Sequence, residues 1–429
     1  MPRDRPIIFA LPAVFALAWP PPPLCAQPLY TARTLDSQIP SGDGVVATAA
    51  ISTPAGVQIV GARRFHNGGG DATPAFFPTA TSNVQLMTNP PSDSTQGVIS
   101  AAAYVPSLGV LDAGSYEKAV GSTQSTHPVV WTGTPNSGVD LGQPAPASDS
   151  GVSAVSAAPV GFQAVGGMYV SGEKQAVMWT GPTLQSPQIV TLHNPATMFQ
   201  SQANGAYTFN GVAKQVGYSN DILPGGLSTQ PRARVWSGTA ASAVDLTPPG
   251  YLYAAITAGN GDGPVEILSG HLGLTISDLR PAVWRGTGGA FQVLNTPPGR
   301  PAGSVFYSSQ TSGVGLVAVN ANEASPHAAL WNLLTGAVTD LHSFLPPEFQ
   351  IAGAASTAFY VDAAGNVYGQ ATISEGGEVG VPVVWLAAVP EPSTLSLSAA
   401  VALAACAVRR VRRRRSTGIV ALADRRSED

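Results

Sequence analysis

The chain has 429 residues and a formal net charge of −4, with 44% of its residues hydrophobic and only 11% charged. It is long enough to bury a sizeable core in one or two domains, and its charge lies well below the roughly 25% usual for soluble domains. Between positions 27 and 390 there are 20 Asp and Glu against 11 Lys and Arg, an acidic, lysine-poor body without the basic face that nucleic-acid binding requires.

Abundant Gly (47) and Pro (38) alongside Val, Thr and aromatics predict many short strands and turns. No long stretch shows the 3.6-residue period of an amphipathic helix, so an all-β fold is expected. The two cysteines, Cys25 and Cys406, both fall outside the body. The body therefore holds no disulfide, thiolate metal site or cysteine nucleophile.

Residues 1–26 begin with basic residues, continue with an apolar run from Ile7 to about Trp19, and end on the small Ala26. This is the layout of a secretory signal peptide cleaved after Ala26. Cys25 offers a lipoprotein alternative, against which Pro22 stands where a lipobox favours Leu. A retained N-terminal anchor is a third reading, for which the run is short.

Residues 27–388 repeat. Aligned on an aromatic residue, "TPAFF" ends at Phe77, and comparable apolar segments end at Trp131, Trp179, Trp236, Trp284, Trp331 and Trp385. The steps between them are 54, 48, 57, 48, 47 and 54 residues, and a period near 50 marks a solenoid or propeller. Six of the seven anchors are followed by a second element such as "VDLGQPA" at Val139, "VTLHNPA" at Val190 or "VTDLHSFLPP" at Val338. A looser pair of segments precedes each anchor, giving about four strands of some 4–6 residues per unit, the content of one propeller blade. "DAAGNVYG" reads as a hairpin turn.

Trp385 lacks the second element, whereas "ARTLDSQIP" after Tyr30 resembles it and stands at the other end of the body. The expectation is a seven-bladed β-propeller closed by its N-terminal strand, which would leave no exposed strand edge. The aromatic anchors are expected to pack between blades, with sugar stacking as the lesser reading for some of them.

After the body come Val389, Pro390, Glu391, Pro392, Ser393 and Thr394, an apolar run over 395–408, the cluster Arg409, Arg410, Arg412, Arg413, Arg414 and Arg415, and a further tail over 416–429. The run barely spans a bilayer of about 30 Å hydrocarbon thickness. The arginines would hold its end on the cytoplasmic side.

This tail resembles the PEP-CTERM sorting signal of bacterial surface proteins. The resemblance implies recognition of residues 389–394 by an intramembrane exosortase, transient anchoring in the inner membrane, and delivery to the cell surface or matrix. An ordinary single-pass anchor is the plainer alternative. The body resembles extracellular repeats named after a His-Ala-Phe signature, through His327, Ala328, Trp331, Asp340 and Leu341, and through His127, Trp131, Asp140, Leu141 and Gly142. Those repeats imply no enzyme activity.

Residue types that carry chemistry are scattered. His66, His127, His193, His271, His327 and His342 form no metal-spaced pair, and no nucleophile elbow or phosphate loop appears. Asp140, Asp245 and Asp340 recur at one repeat position, which favours turn caps over an acid–base pair. Asp71 lies in a Gly-rich segment as a weak calcium ligand candidate. Segments 219–232 and 123–128 differ between units and are expected to be loops on a binding rim.

The reading is a non-catalytic binding or structural module for exopolysaccharide or surface proteins, without cofactor or metal. The alternative is a glycan-active hydrolase or lyase, which a carboxylate pair with a histidine in the central channel would favour. A Ser/Thr-lined channel would favour binding.

Overall fold

The structure is a computed structural model. It describes residues 30–35, 43–65, 72–79, 82–87, 96–120, 123–295, 305–311, 316–322, 326–333, 335–373 and 379–387. The expected signal peptide 1–26, His66, Asp71 and the expected sorting tail 389–429 lie outside these residues. Among the described residues no helix is long and apolar enough to cross a membrane.

The chain is all-β and contains a β-propeller. Among the described residues helix is limited to three 3₁₀ turns, Ala240–Ser242, His342–Phe344 and Pro347–Phe349. The described strands form seven four-stranded antiparallel sheets. The first sheet comprises Asp43–Thr53, Gly56–Phe65, Ala72–Phe77 and Gln85–Leu86, and the second Gly97–Val105, Gly109–Val120, Thr123–Trp131 and Val139–Asp140. The third comprises Asp149–Ala157, Phe162–Val170, Glu173–Gly181 and Gln188–Thr191, and the fourth Met198–Phe209, Val212–Asp221, Arg232–Trp236 and Val244–Asp245. The fifth has Tyr253–Asn260, Ile267–Gly273, Arg280–Arg285 and Phe291–Val293, and the sixth Val305–Thr311, Leu316–Asn322, Ala328–Asn332 and Val338–Asp340. In the seventh, Ala355–Val361, Val367–Ile373 and Val379–Ala387 are joined by Tyr30–Thr34.

Strand lengths depart from the expected 4–6 residues. The first two strands of a sheet reach 12 residues, while the fourth falls to two in several sheets. Alternation of apolar and small polar residues continues past the Gly and Pro turn signals. Segment 123–128 is likewise strand, as part of Thr123–Trp131. Only the middle of segment 219–232 is loop, between strands ending at Asp221 and starting at Arg232.

The first strand of each sheet contacts that of the next, and Asp43–Thr53 contacts Ala355–Val361. These inner strands crowd together, and their sequences are rich in Ala, Gly, Ser and Thr for that reason. Each also carries a bulge, at Thr48, Ser100, Ser153, Asn204, Thr257, Ser309 and Phe359. The bulge bends the strand, and it swings the carbonyl two residues earlier toward the neighbouring strand.

That carbonyl is met by glycine in six sheets. A Cβ on Gly61, Gly114, Gly166, Gly217, Gly270 or Gly369 would lie 1.9–2.0 Å from the opposing backbone oxygen. Close approach of two backbones therefore excludes any side chain here. In the sixth sheet the residue in this register is Val319.

Candidate functional site

The anchors sit in the third strand of each sheet. Phe77, Trp131, Trp179, Trp236, Trp284, Trp331 and Trp385 are all 1% exposed or less. They fill the space between sheets, a burial of roughly 150–250 Å² each, and leave no ring face for sugar stacking.

Most of the indoles also reach the preceding sheet. Trp179, Trp284, Trp331 and Trp385 donate through Nε1 to the carbonyls of Gly142, Leu246, Asn295 and Leu341, at 3.0, 3.0, 2.7 and 2.8 Å. Each acceptor belongs to the second repeated element of the sheet before. By contrast, the buried Trp236 Nε1 has no partner.

The second element is tied down by one recurring bond. The backbone N–H groups of Met87, Leu141, Leu192, Leu246, Leu294 and Leu341 donate to the carbonyls of Pro74, Pro128, Ala176, Ala233, Pro281 and Ala328, each three residues before an anchor. Leu35 makes the same bond to Pro382, three residues before Trp385, at 3.0 Å. In the same sheet Ala32 pairs with Trp385.

The recurrent aspartates are turn caps with a basic partner. Asp140, Asp245 and Asp340 accept the N–H of the residue two further on, at 2.8, 2.8 and 3.0 Å. Their other oxygen faces the residue four positions before the anchor: His127 at 3.2 Å, Arg232 at 2.7 Å and His327 at 3.4 Å. Tyr116 also donates to Asp140, at 2.7 Å, and Arg234 closes on Asp221 at 2.5 Å. The His–Asp spacing of the repeat is thus a local clamp between the third and fourth strands.

Among the described residues, His193, His271 and His342 serve packing and sheet contacts. His193 and His342, each following the buried leucine, bond through Nδ1 to Ser201 and Ser356 on the next sheet, both at 2.9 Å. Burial pushes His193 below its ordinary value, against the opposing field of Glu173. Burial also brings His271 down to about 4. His327 stacks on His342 at 3.6 Å beside a cavity of about 350 Å³. Among the described residues no group of three potential ligands could hold a metal ion.

The inner-strand bulges enclose a central cavity of about 180 Å³. Thr48, Ser100, Ser153, Asn204 and Thr257 line it with small Ala and Gly neighbours and with Phe359. Several of these polar groups bridge adjacent strands. Thr48 Oγ1 donates to the Ile99 carbonyl, Asn204 Nδ2 to that of Ile256 at 3.0 Å, and Ser153 Oγ accepts Gln202 Nε2 at 2.8 Å. This lining can hydrogen-bond a hydroxylated ligand through neutral groups. The bulges that create it are not marked by strand alternation, although a hydroxyl or amide on six of the seven inner strands and a glycine on six of the seven following strands are visible signals.

No protein-family profile and no curated protein matches the chain. Among solved structures it is similar to a puromycin-hydrolysing peptidase of Mycobacterium tuberculosis, at 13% identity and a TM-score of 0.43, over 76% of this chain and 48% of that one. It is similar to the GH74 xyloglucanase from Xanthomonas campestris, at 11% identity and a TM-score of 0.42, over 80% of this chain and 53% of that one. A third is the Aleuria aurantia lectin in complex with alpha-methyl-L-fucoside, at 12% identity and a TM-score of 0.32, over 79% of this chain and 94% of that one. The chain spans about half the length of the first two. These likenesses concern backbone shape alone.

Proposed function

We propose that the chain is an exported surface or extracellular-matrix protein whose seven sheets are the blades of one closed ring, acting as a non-catalytic binding module for polysaccharide or surface proteins. The observation that carries the binding reading is the lining of the central cavity, where Thr48, Ser100, Ser153, Asn204 and Thr257 present neutral hydroxyl and amide groups. Such groups hold a polyol by hydrogen bonds and do not exchange protons near neutral pH. Glycosidic cleavage ordinarily takes two carboxyl groups flanking the bond.

Ring closure is supported by the bond from Leu35 to Pro382, which repeats the bond made in the other six sheets. Export is supported by the residues of the two ends: a signal segment ending at Ala26, and a motif at residues 389–394 ahead of the apolar run and the arginine-rich residues 409–415. In this reading an exosortase is the processing partner, and residues 395–408 anchor the chain in the inner membrane only in transit.

The test takes the exported protein from the surface fraction. On a glycan array it is expected to retain polysaccharide ligands without releasing fragments, and its mass spectrum should hold no peptide beyond about Thr394. Release of shortened glycans would favour the hydrolase or lyase reading. An intact tail on surface material would overturn the sorting step.

A further inference from the structure

A further cavity, of about 220 Å³, opens on the third sheet where it faces Thr126 of the second and Gln202 of the fourth, and is lined by Asp149, Ser150, Gly167, Tyr169 and Lys174 among others. Its volume is smaller than the roughly 300–1,000 Å³ of drug-sized sites, which suits a single ring.

Two buried polar atoms in its wall have no partner. Ser150 is 3% exposed and its Oγ is unpaired. Gln202 is 6% exposed; its Nε2 donates to Ser153 Oγ at 2.8 Å and to the Ala203 carbonyl at 3.0 Å, which fixes the amide's orientation and leaves Oε1 without a donor. Buried polar groups are nearly always hydrogen-bonded, so two unpaired ones in one cavity wall indicate an absent partner.

Lys174 is the one cation in this wall, and among the described residues it is in no ion pair. Its ammonium stands 5.9 Å from the Tyr169 ring centroid. Burial lowers its pKa, the mark of a charge that has lost water without gaining a counter-ion. Gly167 keeps the space open. A Cβ there would come within 2.2 Å of Gln202 Oε1 and 2.9 Å of the Lys174 Cε.

We propose that this cavity binds one carboxylate-bearing sugar unit of an extracellular polysaccharide. The carboxylate pairs with Lys174, one hydroxyl donates to Gln202 Oε1, and another exchanges a hydrogen bond with Ser150. Tyr169 offers the aromatic face against which the apolar side of a sugar ring packs. Asp149, whose Oδ1 already accepts the Thr126 N–H at 2.9 Å, favours a ligand that brings hydroxyl donors as well as its charge. The inference rests on the polysaccharide-binding reading and names the sugar class and the place.

The full chain is titrated calorimetrically with oligosaccharides of glucuronate and of glucose matched in length. Wild type is expected to bind the acidic series at least roughly tenfold more tightly, and Lys174→Met to remove that preference at unchanged melting temperature. Ser150→Ala should weaken both series, because it removes a hydroxyl contact and leaves Lys174 in place. Equal affinity for the two series, or an acidic preference that survives Lys174→Met, overturns the site while glycan binding stands. Binding of neither series, together with an empty glycan array, removes the site and the binding reading together.

Discussion

At the residue scale, burial sets the charge state of Asp112. It is fully buried, and both its oxygens take the Nε2 of Gln58 on the neighbouring sheet, at 3.0 and 2.8 Å. Burial pushes its carboxyl up to about 8, with the Gln58 hydrogen bond opposing. A folded pKa above the unfolded value means the native state binds the extra proton. The stabilising contribution is therefore complete below about pH 4 and is lost as pH rises through about 8. The corresponding contact between the third and fourth sheets is Gln215 to Gln163, at 2.7 Å, so an amide fits this slot. Asp112→Asn is expected to raise the urea midpoint at about pH 9 and to flatten the profile between about pH 5 and 9. A profile as steep as wild type would show that another group carries the slope.

At the element scale, the sheets are shaped by the pairing of bulge and glycine. The carbonyl of Gln202 aims at the Cα of Gly217, leaving 1.9 Å for any Cβ. Neither strand can yield without breaking the ladder, so Gly217→Ala is expected to cost at least about 1–3 kcal/mol. Gly288, with nothing near its absent Cβ and no left-handed φ, is the control: Gly288→Ala should shift stability by no more than about 0.5 kcal/mol. Equal denaturant midpoints for the two variants would remove the steric argument. The same crowding accounts for the Ala, Ser and Thr of most inner strands, with Phe359 the one large side chain at a bulge that lines the cavity.

At the scale of the whole molecule, the two ends of the body meet in one sheet. Tyr30–Thr34 pairs along its length with residues 383–387, and Tyr30 donates from its hydroxyl to the Gly365 carbonyl at 3.1 Å. Without that strand the Val379–Ala387 edge lies open, and an open apolar edge recruits other chains. Deleting residues 30–35 is expected to lower the melting temperature sharply and to promote association at high concentration. An unchanged melting temperature would mean that the seventh sheet holds without its N-terminal strand.

Much of this was readable along the chain because the repeat is local. An aromatic every 50 residues or so, a Leu in the element that follows, and Gly-rich turns between strands are patterns within one sheet, and strand pairing in a meander joins neighbours in sequence. The Asp–His clamp was visible as a spacing, since His127 and Asp140 lie on adjacent strands of one hairpin. Tertiary structure alone decided which polar residues converge. Gln58 meets Asp112, and Ser150, Lys174 and Gln202 come to line one cavity, because successive sheets pack side by side at an angle set by their twist and bulges. That angle brings together residues some 25–55 positions apart in sequence, and no periodicity encodes which of them will face an unfilled space.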